Sequence, residues 1–259
     1  WGGVLSQKAK FVNRLFTKAI LLKNRRAYAR CVNVAKTNEV RRQMLSCGLK
    51  VDRVINVGLD EALLKTEVPD RQAVRAQLDI EPGAKVLLFV GRLEANKRPL
   101  DAIKLLEALH QDVPGAMLIL IGKGTQGEAV RMAIEASPAK ERIRHIPHVE
   151  YRDMWAYYTA SDFMVNLCDV EIFGMALLES MYYRCPVVAR NAPGPMEFVR
   201  DGETGYVCTT ESVEEWKAKV LEALNAPELL LENAHGMVCE KYLWSRTAPE
   251  FLRALGLEV

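Results

Sequence analysis

Between Pro69 and Cys208 the chain alternates short apolar runs with helix-length stretches, and this alternation constrains the fold more than any other feature. The apolar runs Val86–Val90, Met117–Ile121, Arg142–Ile146, Phe163–Leu167, Val187–Ala189 and Gly205–Cys208 read as strands. Runs that are apolar throughout mark strands covered on both faces. Helices are expected near 70–79, 99–111, 126–136, 151–160, 174–183 and 195–200. Strands separated by helices pair in parallel, because only a crossover can bring the chain back to the same sheet edge. The expected fold class is therefore α/β, a doubly wound parallel sheet of the Rossmann-like kind with flanking helices.

The flanks are less complete. Cys31–Ala35 reads as a buried strand, Thr37 as the cap of a helix through Leu45 that ends at Gly48, and Arg53–Val57 as a second strand. These elements are too few for a sheet domain of their own and look like the trailing end of one. A helical tail runs from Ser212 to Leu255, opened by the capping-box spacing of Ser212 and Glu215. The expected division is 1–60, the remnant of an N-terminal domain; 61–240, the complete domain; and 241–259, a closing helix.

At 259 residues and 49% hydrophobic, the chain can bury a substantial core. Its six cysteines contain no C-x-x-C, which favours reduced thiols used as small hydrophobes and a cytoplasmic protein. No apolar run reaches the roughly 18 residues of a membrane span, and the first residues lack a signal-peptide pattern. Net charge is +2, yet residues 1–38 carry nine Lys/Arg and no acid. Lys10, Arg14 and Lys18 recur at helical spacing beside an apolar stripe of Phe11, Leu15, Ala19 and Leu22. A basic amphipathic helix over residues 8–30 can lie on an anionic membrane surface, such as the inner face of the cell membrane. The alternative is that the stripe packs on protein and the charges are solvated.

Several constellations fall on the loops after the strands, where an open α/β sheet binds its ligands. In Glu171-Ile-Phe-Gly-Met-Ala-Leu-Leu-Glu179, two carboxylates flank a Phe-Gly that starts a helix. Such a corner offers backbone N–H groups and a positive dipole end to an anion, while the carboxylates accept from hydroxyls. Diphosphate plus polyols describes a nucleotide sugar; the bland alternative is a helix cap. Arg92 and Lys97 follow the first strand of the complete domain, where they can hold phosphate oxygens. Gly122-Lys-Gly-Thr-Gln-Gly127 is a formal G-x-G-x-x-G. It follows the second strand rather than the first and lacks the acid that a nicotinamide enzyme places on the ribose. It reads instead as a glycine turn that lets backbone approach a phosphate. His145 and His148 lack the further ligands of a metal site. No metal and no nucleic acid is expected. Asn191-Ala-Pro-Gly-Pro-Met-Glu197 reads as a rigid loop and Asp201-Gly-Glu-Thr-Gly205 as a turn.

Taken together, these segments resemble the C-terminal domain of family-4 retaining glycosyltransferases with the GT-B fold. The resemblance rests on Val90-Gly-Arg-Leu with Lys97, Leu120-Ile-Gly-Lys-Gly124, Tyr158-Thr-Ala-Ser-Asp162, Glu171-x-Phe-Gly with Leu-Leu-Glu179, Cys185-Pro-Val-Val-Ala189, Pro195-x-Glu197 and Asp201-Gly-Glu-Thr-Gly-Tyr-Val207. These occur in the family's order and spacing, and Tyr242-Leu-Trp-Ser resembles its closing motif before a helix that crosses back to the other domain.

The resemblance implies a glycosyltransferase that takes a nucleotide-diphosphate sugar, UDP-type favoured over GDP, and needs no cofactor. Arg92 and Lys97 would bind and stabilise the leaving diphosphate, and Glu171 would hold the sugar hydroxyls. Backbone at Phe173 and Gly174 would touch sugar or distal phosphate, and Glu179 would hold the ribose hydroxyls. Val149 would pack the base, with further donor contacts at Gly91, Gly122, Gly124 and Met175. The acceptor would be a glycan or lipid-linked molecule in cell-surface polysaccharide synthesis. The family's N-terminal acceptor domain needs more residues than precede residue 61, so the chain is expected to be a fragment that binds donor better than it transfers sugar. Rivals are a noncatalytic nucleotide-sugar-binding module, a GT-B-fold epimerase or phosphorylase, and an NAD-dependent oxidoreductase.

Overall fold

The computed structural model describes residues 20, 25 and 27–257. The chain divides into two compact units, one from Leu59 to Leu243 and one made of the residues up to Gly58 together with those from Trp244 onward. The basic stretch 8–30 lies outside the described residues except for Ile20, Arg25 and residues 27–30.

In the smaller unit, β1 (Val34–Ala35) pairs in parallel with β2 (Arg53–Val54). Between them runs α1 (Asn38–Ser46), capped by Thr37, whose Oγ1 accepts from the Val40 N–H at 3.1 Å. Both strands are shorter than expected. The Asn33 carbonyl still accepts from the Asp52 N–H (2.9 Å), but its N–H donates to the Asp52 carboxylate (2.9 Å) and its side chain to the Tyr28 and Cys31 carbonyls (2.8 and 3.2 Å), so side-chain bonds take over where the strand would begin. The unit also holds α9 (Trp244–Ala254).

The larger unit is built on one parallel sheet of β3 (Lys85–Val90), β4 (Ala116–Ile121), β5 (Ile143–Ile146), β6 (Phe163–Asn166), β7 (Val187–Arg190) and β8 (Tyr206–Cys208). The order is β5-β4-β3-β6-β7-β8. The chain winds outward from β3 to β5, then returns to the other side of β3 and winds outward again to β8. The loops after β3 and β6 therefore part in opposite directions and leave a crevice at the carboxyl edge.

Helices α2 (Arg71–Gln77), α3 (Pro99–His110), α4 (Gly127–Ala136), α5 (Met154–Ala160), α6 (Met175–Tyr182), α7 (Val213–Ala223) and α8 (Glu228–Lys241) flank the sheet. Leu87, Phe89, Leu118, Leu120, Phe163 and Val165 form one core with Leu105, Leu106 and Leu109 of α3 and Trp216 and Val220 of α7. The alternate residues Val86, Leu88, Ile119 and Met164 have no exposed surface and face the other way.

Three helical expectations differ in detail. Residues 151–160 split into a one-turn helix, Tyr151–Asp153, followed by α5. The stretch 195–200 is a single turn, Pro195–Glu197. The tail breaks into three helices, because Pro227 has no N–H to continue a helix and the Tyr242 carbonyl accepts from the Leu59 N–H (2.7 Å). All six thiols are free. Burial pushes Cys185 and Cys208 up to about 12, which suits thiols used as packing groups. Among the described residues no helix is long and apolar enough to cross a membrane.

Candidate active site

The crevice is assembled by loops that need glycine to approach one another. The Gly91 N–H donates to the Ile121 carbonyl (3.0 Å) and the Gly122 N–H to the Ile146 carbonyl (2.9 Å), carrying the ladder past the strand ends. Leu93 N–H donates to the Lys123 carbonyl (3.1 Å), and Gln126 N–H donates to the Leu93 carbonyl (2.8 Å), binding the two loops together. A Cβ on Gly122, whose φ is +145°, would lie 1.9 Å from the Gly91 oxygen. One on Gly124 would lie 2.5 Å from the Leu93 oxygen. These two glycines thus serve contact between loops, a reason that spacing alone does not reveal. The third glycine of the G-x-G-x-x-G pattern, Gly127, has nothing within 4 Å of a built Cβ. A dinucleotide fingerprint uses that glycine for close helix–strand packing, so the pattern here is formal only.

A cleft of about 540 Å³ opens over these loops. It brings together six of the residues expected at the donor: Gly91, Arg92, Gly122, Val149, Met175 and Glu179. Lys123, His148, Tyr151 and Met154 also line it and were not singled out for it in the sequence. His145 turns away from any metal role, its Nε2 donating to the Gly122 carbonyl at 2.9 Å.

Glu179, on α6, is 8% exposed at the inner wall of this cleft. Burial raises its pKa, while hydrogen bonds from Tyr158 and Tyr151 act the other way. The Tyr158 hydroxyl donates to Glu179 Oε2 at 2.5 Å. Burial and the neighbouring carboxylate drive both phenols upward, so they remain donors.

Four of the expected residues lie together outside the cleft lining. The Lys97 ammonium sits 2.6 Å from Glu171 Oε2, bridging the loops after β3 and β6 across the switch point. Asn166, the last residue of β6, donates to the same oxygen at 3.2 Å. Phe173 is buried, its ring tilted against Phe198 and Tyr242, so only its backbone is available to a ligand. Gly174 caps α6 with φ +97°, a conformation that favours glycine. The remaining expected residue, Gly124, belongs to the loop packing described above.

The Pro193-Gly-Pro195 loop has a more definite role than turn chemistry. The Gly194 N–H donates to the Glu171 carbonyl (2.8 Å). A Cβ on Gly194 would come within 2.3 Å of the Phe173 nitrogen, so this glycine lets the loop seat the Glu171–Gly174 corner. Behind Lys97, Arg98 pairs with Glu211 (2.7 Å) and lies 3.5 Å from Asp169, while Arg190 pairs with Asp169 and Glu211. The Asp169 N–H donates to the Asn96 carbonyl (3.2 Å), which ties the loop carrying Glu171 to the turn carrying Lys97.

Chemically, the cleft carries a buried carboxylate, Glu179, that accepts from a hydroxyl, together with Arg92, Lys123 and the start of α6. A second carboxylate, Glu171, is paired with the Lys97 ammonium on the loops after β6 and β3. Among the described residues no three His, Cys, Asp or Glu side chains gather as a cation site requires.

The chain is 26% identical over 209 residues to the D-inositol 3-phosphate glycosyltransferase of Segniliparus rotundus, covering 78% of this chain and 46% of that protein. It is 32% identical over 145 residues to a glycogen synthase of Mycobacterium tuberculosis, covering 56% of this chain and 35% of that one. The chain thus spans about half or less of the length of these curated relatives. Among solved structures, Anabaena HepE in complex with UDP and glucose superposes with a TM-score of 0.80 at 21% identity, covering 94% of this chain and 68% of that one. Sucrose-phosphate synthase from Thermosynechococcus elongatus gives a TM-score of 0.78 at 19% identity, covering 98% and 63%. At such identities the structures establish a shared fold, the Rossmann-like α/β architecture of GT-B glycosyltransferases. The model of the glycosyl transferases group 1 family matches residues 70–236, more than half of the chain. The chain belongs to the glycosyl transferases group 1 family.

Proposed function

We propose that this chain is the donor-binding part of a retaining, family-4-type glycosyltransferase that moves a hexose from a UDP-type nucleotide sugar to a glycan or lipid-linked acceptor. The observation that carries the reading is that Glu179, Val149, Arg92 and Gly122 line one cleft, while Lys97 and Glu171 pair on the loops after β3 and β6. In this reading Glu179 holds the ribose hydroxyls, Val149 packs the base, and Arg92 and the backbone at Gly122 hold the diphosphate. The Lys97–Glu171 pair serves the sugar. UDP is favoured because HepE, which shares the fold, is seen with UDP and glucose. A role in cell-surface polysaccharide synthesis at the inner face of the membrane, with residues 8–30 making peripheral contact, extends the reading to the whole protein.

In the reaction, the bond between the anomeric carbon and the diphosphate oxygen breaks, and its electron pair passes to the diphosphate. Arg92, Lys97 and the N–H groups at the start of α6 offset that developing charge from fixed positions. Each preorganised group of this kind is worth about 3–4 kcal/mol of barrier. Positive charge from Arg92 and Lys97 stands where a metal ion would otherwise be required. The acceptor hydroxyl bonds to the same face of the sugar, and its proton leaves with the diphosphate.

Calorimetric titration with UDP, GDP and ADP tests the site. At least one should bind at millimolar concentration or tighter. Glu179→Ala should weaken it by roughly 10- to 100-fold, the value of hydrogen bonds to a charged group. No binding to any of the three, or full-strength binding by Glu179→Ala, would contradict the reading.

The Tyr158–Glu179 bond adds a pH dependence. Ribose hydroxyls donate to the ionised carboxylate, so a proton competes with nucleotide. Affinity should therefore fall as pH drops through the raised pKa of Glu179. The Tyr158 hydroxyl lowers that pKa, so Tyr158→Phe should move the loss of affinity to higher pH. Titrations of both proteins over a pH series measure the displacement, and a shift to lower pH would contradict the assignment.

A further inference from the structure

We infer that Glu171 sets the site's preference for an intact nucleotide sugar over the free nucleoside diphosphate, by neutralising Lys97 until sugar hydroxyls arrive. This inference rests on the donor-site reading above and assigns Glu171 a second task within it.

Lys97 and Glu171 are 20% and 14% exposed and 2.6 Å apart, so neither charge is dispersed into bulk water. The cations just behind them are already committed, Arg98 to Asp101 and Glu211, and Arg190 to Asp169 and Glu211. Of the cations flanking the crevice, Arg92 and Lys123 form no salt bridge among the described residues, and both lie on the cleft that would hold the nucleotide. A bare diphosphate reaching toward Lys97 must share the ammonium with a carboxylate already in contact with it. The two anions then repel one another across a partly desolvated gap.

A sugar changes this balance. Lys97 and Asn166 both donate to Oε2, and Oε1 of Glu171 accepts no hydrogen bond among the described residues. Hydroxyls of a hexose on the distal phosphate can donate to that oxygen, satisfy the carboxylate and leave the ammonium to the phosphates. Esterification by the sugar also removes one phosphate charge, which reduces the repulsion further. The nucleotide sugar is thus held with Glu171 as acceptor. Once the sugar has gone, the same carboxylate weakens the grip on the diphosphate that remains.

The test is calorimetry on the chain and on Glu171→Gln, with UDP, GDP and ADP and their glucose conjugates. Glu171→Gln keeps the side-chain volume and removes the charge, with one acceptor oxygen becoming an NH2 donor. Whichever diphosphate the unaltered chain binds should bind the variant about tenfold tighter, whereas the matching glucose conjugate should bind no tighter. The preference for the conjugate should therefore shrink by about tenfold. Glu171→Asp, which keeps the charge, should not tighten diphosphate binding. Should Glu171→Gln fail to fold by its melting curve, Glu171→Ala reads the same ratio. Unchanged or weaker diphosphate binding by the neutral variant would overturn this inference and leave the donor site standing. Failure of the unaltered chain to bind any of the three diphosphates would overturn both.

Discussion

Replacing Asp162 with alanine should lower the melting temperature of the larger unit by about 6–20 °C while leaving the nucleotide crevice in place. Asp162 stands at the amino end of β6, at the opposite edge of the sheet from the ligand loops. Its carboxylate side chain is 8% exposed and lies 2.6 Å from the Arg75 guanidinium, which is 7% exposed. Arg71 (3.0 Å) and Lys85 (3.5 Å) complete the cluster, and the Val86 N–H donates to Asp162 Oδ2 at 2.7 Å. Arg75 in turn donates Nε–H to the Ala160 carbonyl at 2.9 Å. This one carboxylate joins α2, β3 and β6. Burial already pushes the Arg75 pKa down, and the Asp162 charge opposes that. Removing Asp162 leaves a buried guanidinium without its counter-ion, a change that costs about 3–5 kcal/mol. Asp162→Asn, which keeps an acceptor for Val86, should lose less. Thermal unfolding of the two variants measures both effects.

The second large effect is on binding. Gly122→Ala should reduce nucleotide affinity by on the order of 100-fold, as expected when a binding loop moves by about 1 Å. The Cβ would lie 1.9 Å from the Gly91 oxygen, and the φ of +145° is one that alanine rarely adopts. The Gly91 carbonyl carbon would follow at 3.0 Å, so the obstruction is backbone and cannot rotate away. The loops after β3 and β4 would have to separate, carrying Gly91 and Arg92 away from the cleft. Gly127→Ala is the matched control. That glycine opens α4 in open space with no unusual φ, so alanine there should bind nucleotide normally and stabilise the fold by about 0.4–1 kcal/mol. Calorimetry and melting curves on the pair separate the two outcomes.

These residues also show what was legible in the sequence. The six strands of the large sheet are readable because each is an apolar run bounded by polar or turn residues. Their ends shift by only one residue or so. Glu179 and Glu171 stand out because they flank a helix start on a ligand edge. Their partners do not, because pairing depends on topology. Lys97 meets Glu171 only because β3 and β6 are neighbours in the sheet, although 74 positions separate the two residues. Tyr158 reaches Glu179 from α5 across 21 positions, and its place in the Tyr158–Asp162 segment gives no sign of that partner. Gly194 reads as turn chemistry until the backbone of Phe173 is seen against it. Asp162 marks a motif without revealing that its partner is Arg75, 87 positions earlier. The basic stretch at residues 8–30 carries a sequence expectation that falls almost wholly outside the described residues.

The central claim is that the loops at the sheet's switch point hold a nucleotide diphosphate. Backbone amide chemical shifts of the isotopically labelled chain, recorded as UDP is added, test it most directly. Saturable shifts confined to Gly91–Lys97, Gly122–Gly124, His148–Tyr151 and Phe173–Ala176 are expected. Shifts centred instead on the polar groove between Arg200 and Lys241, or none at millimolar UDP, would contradict it.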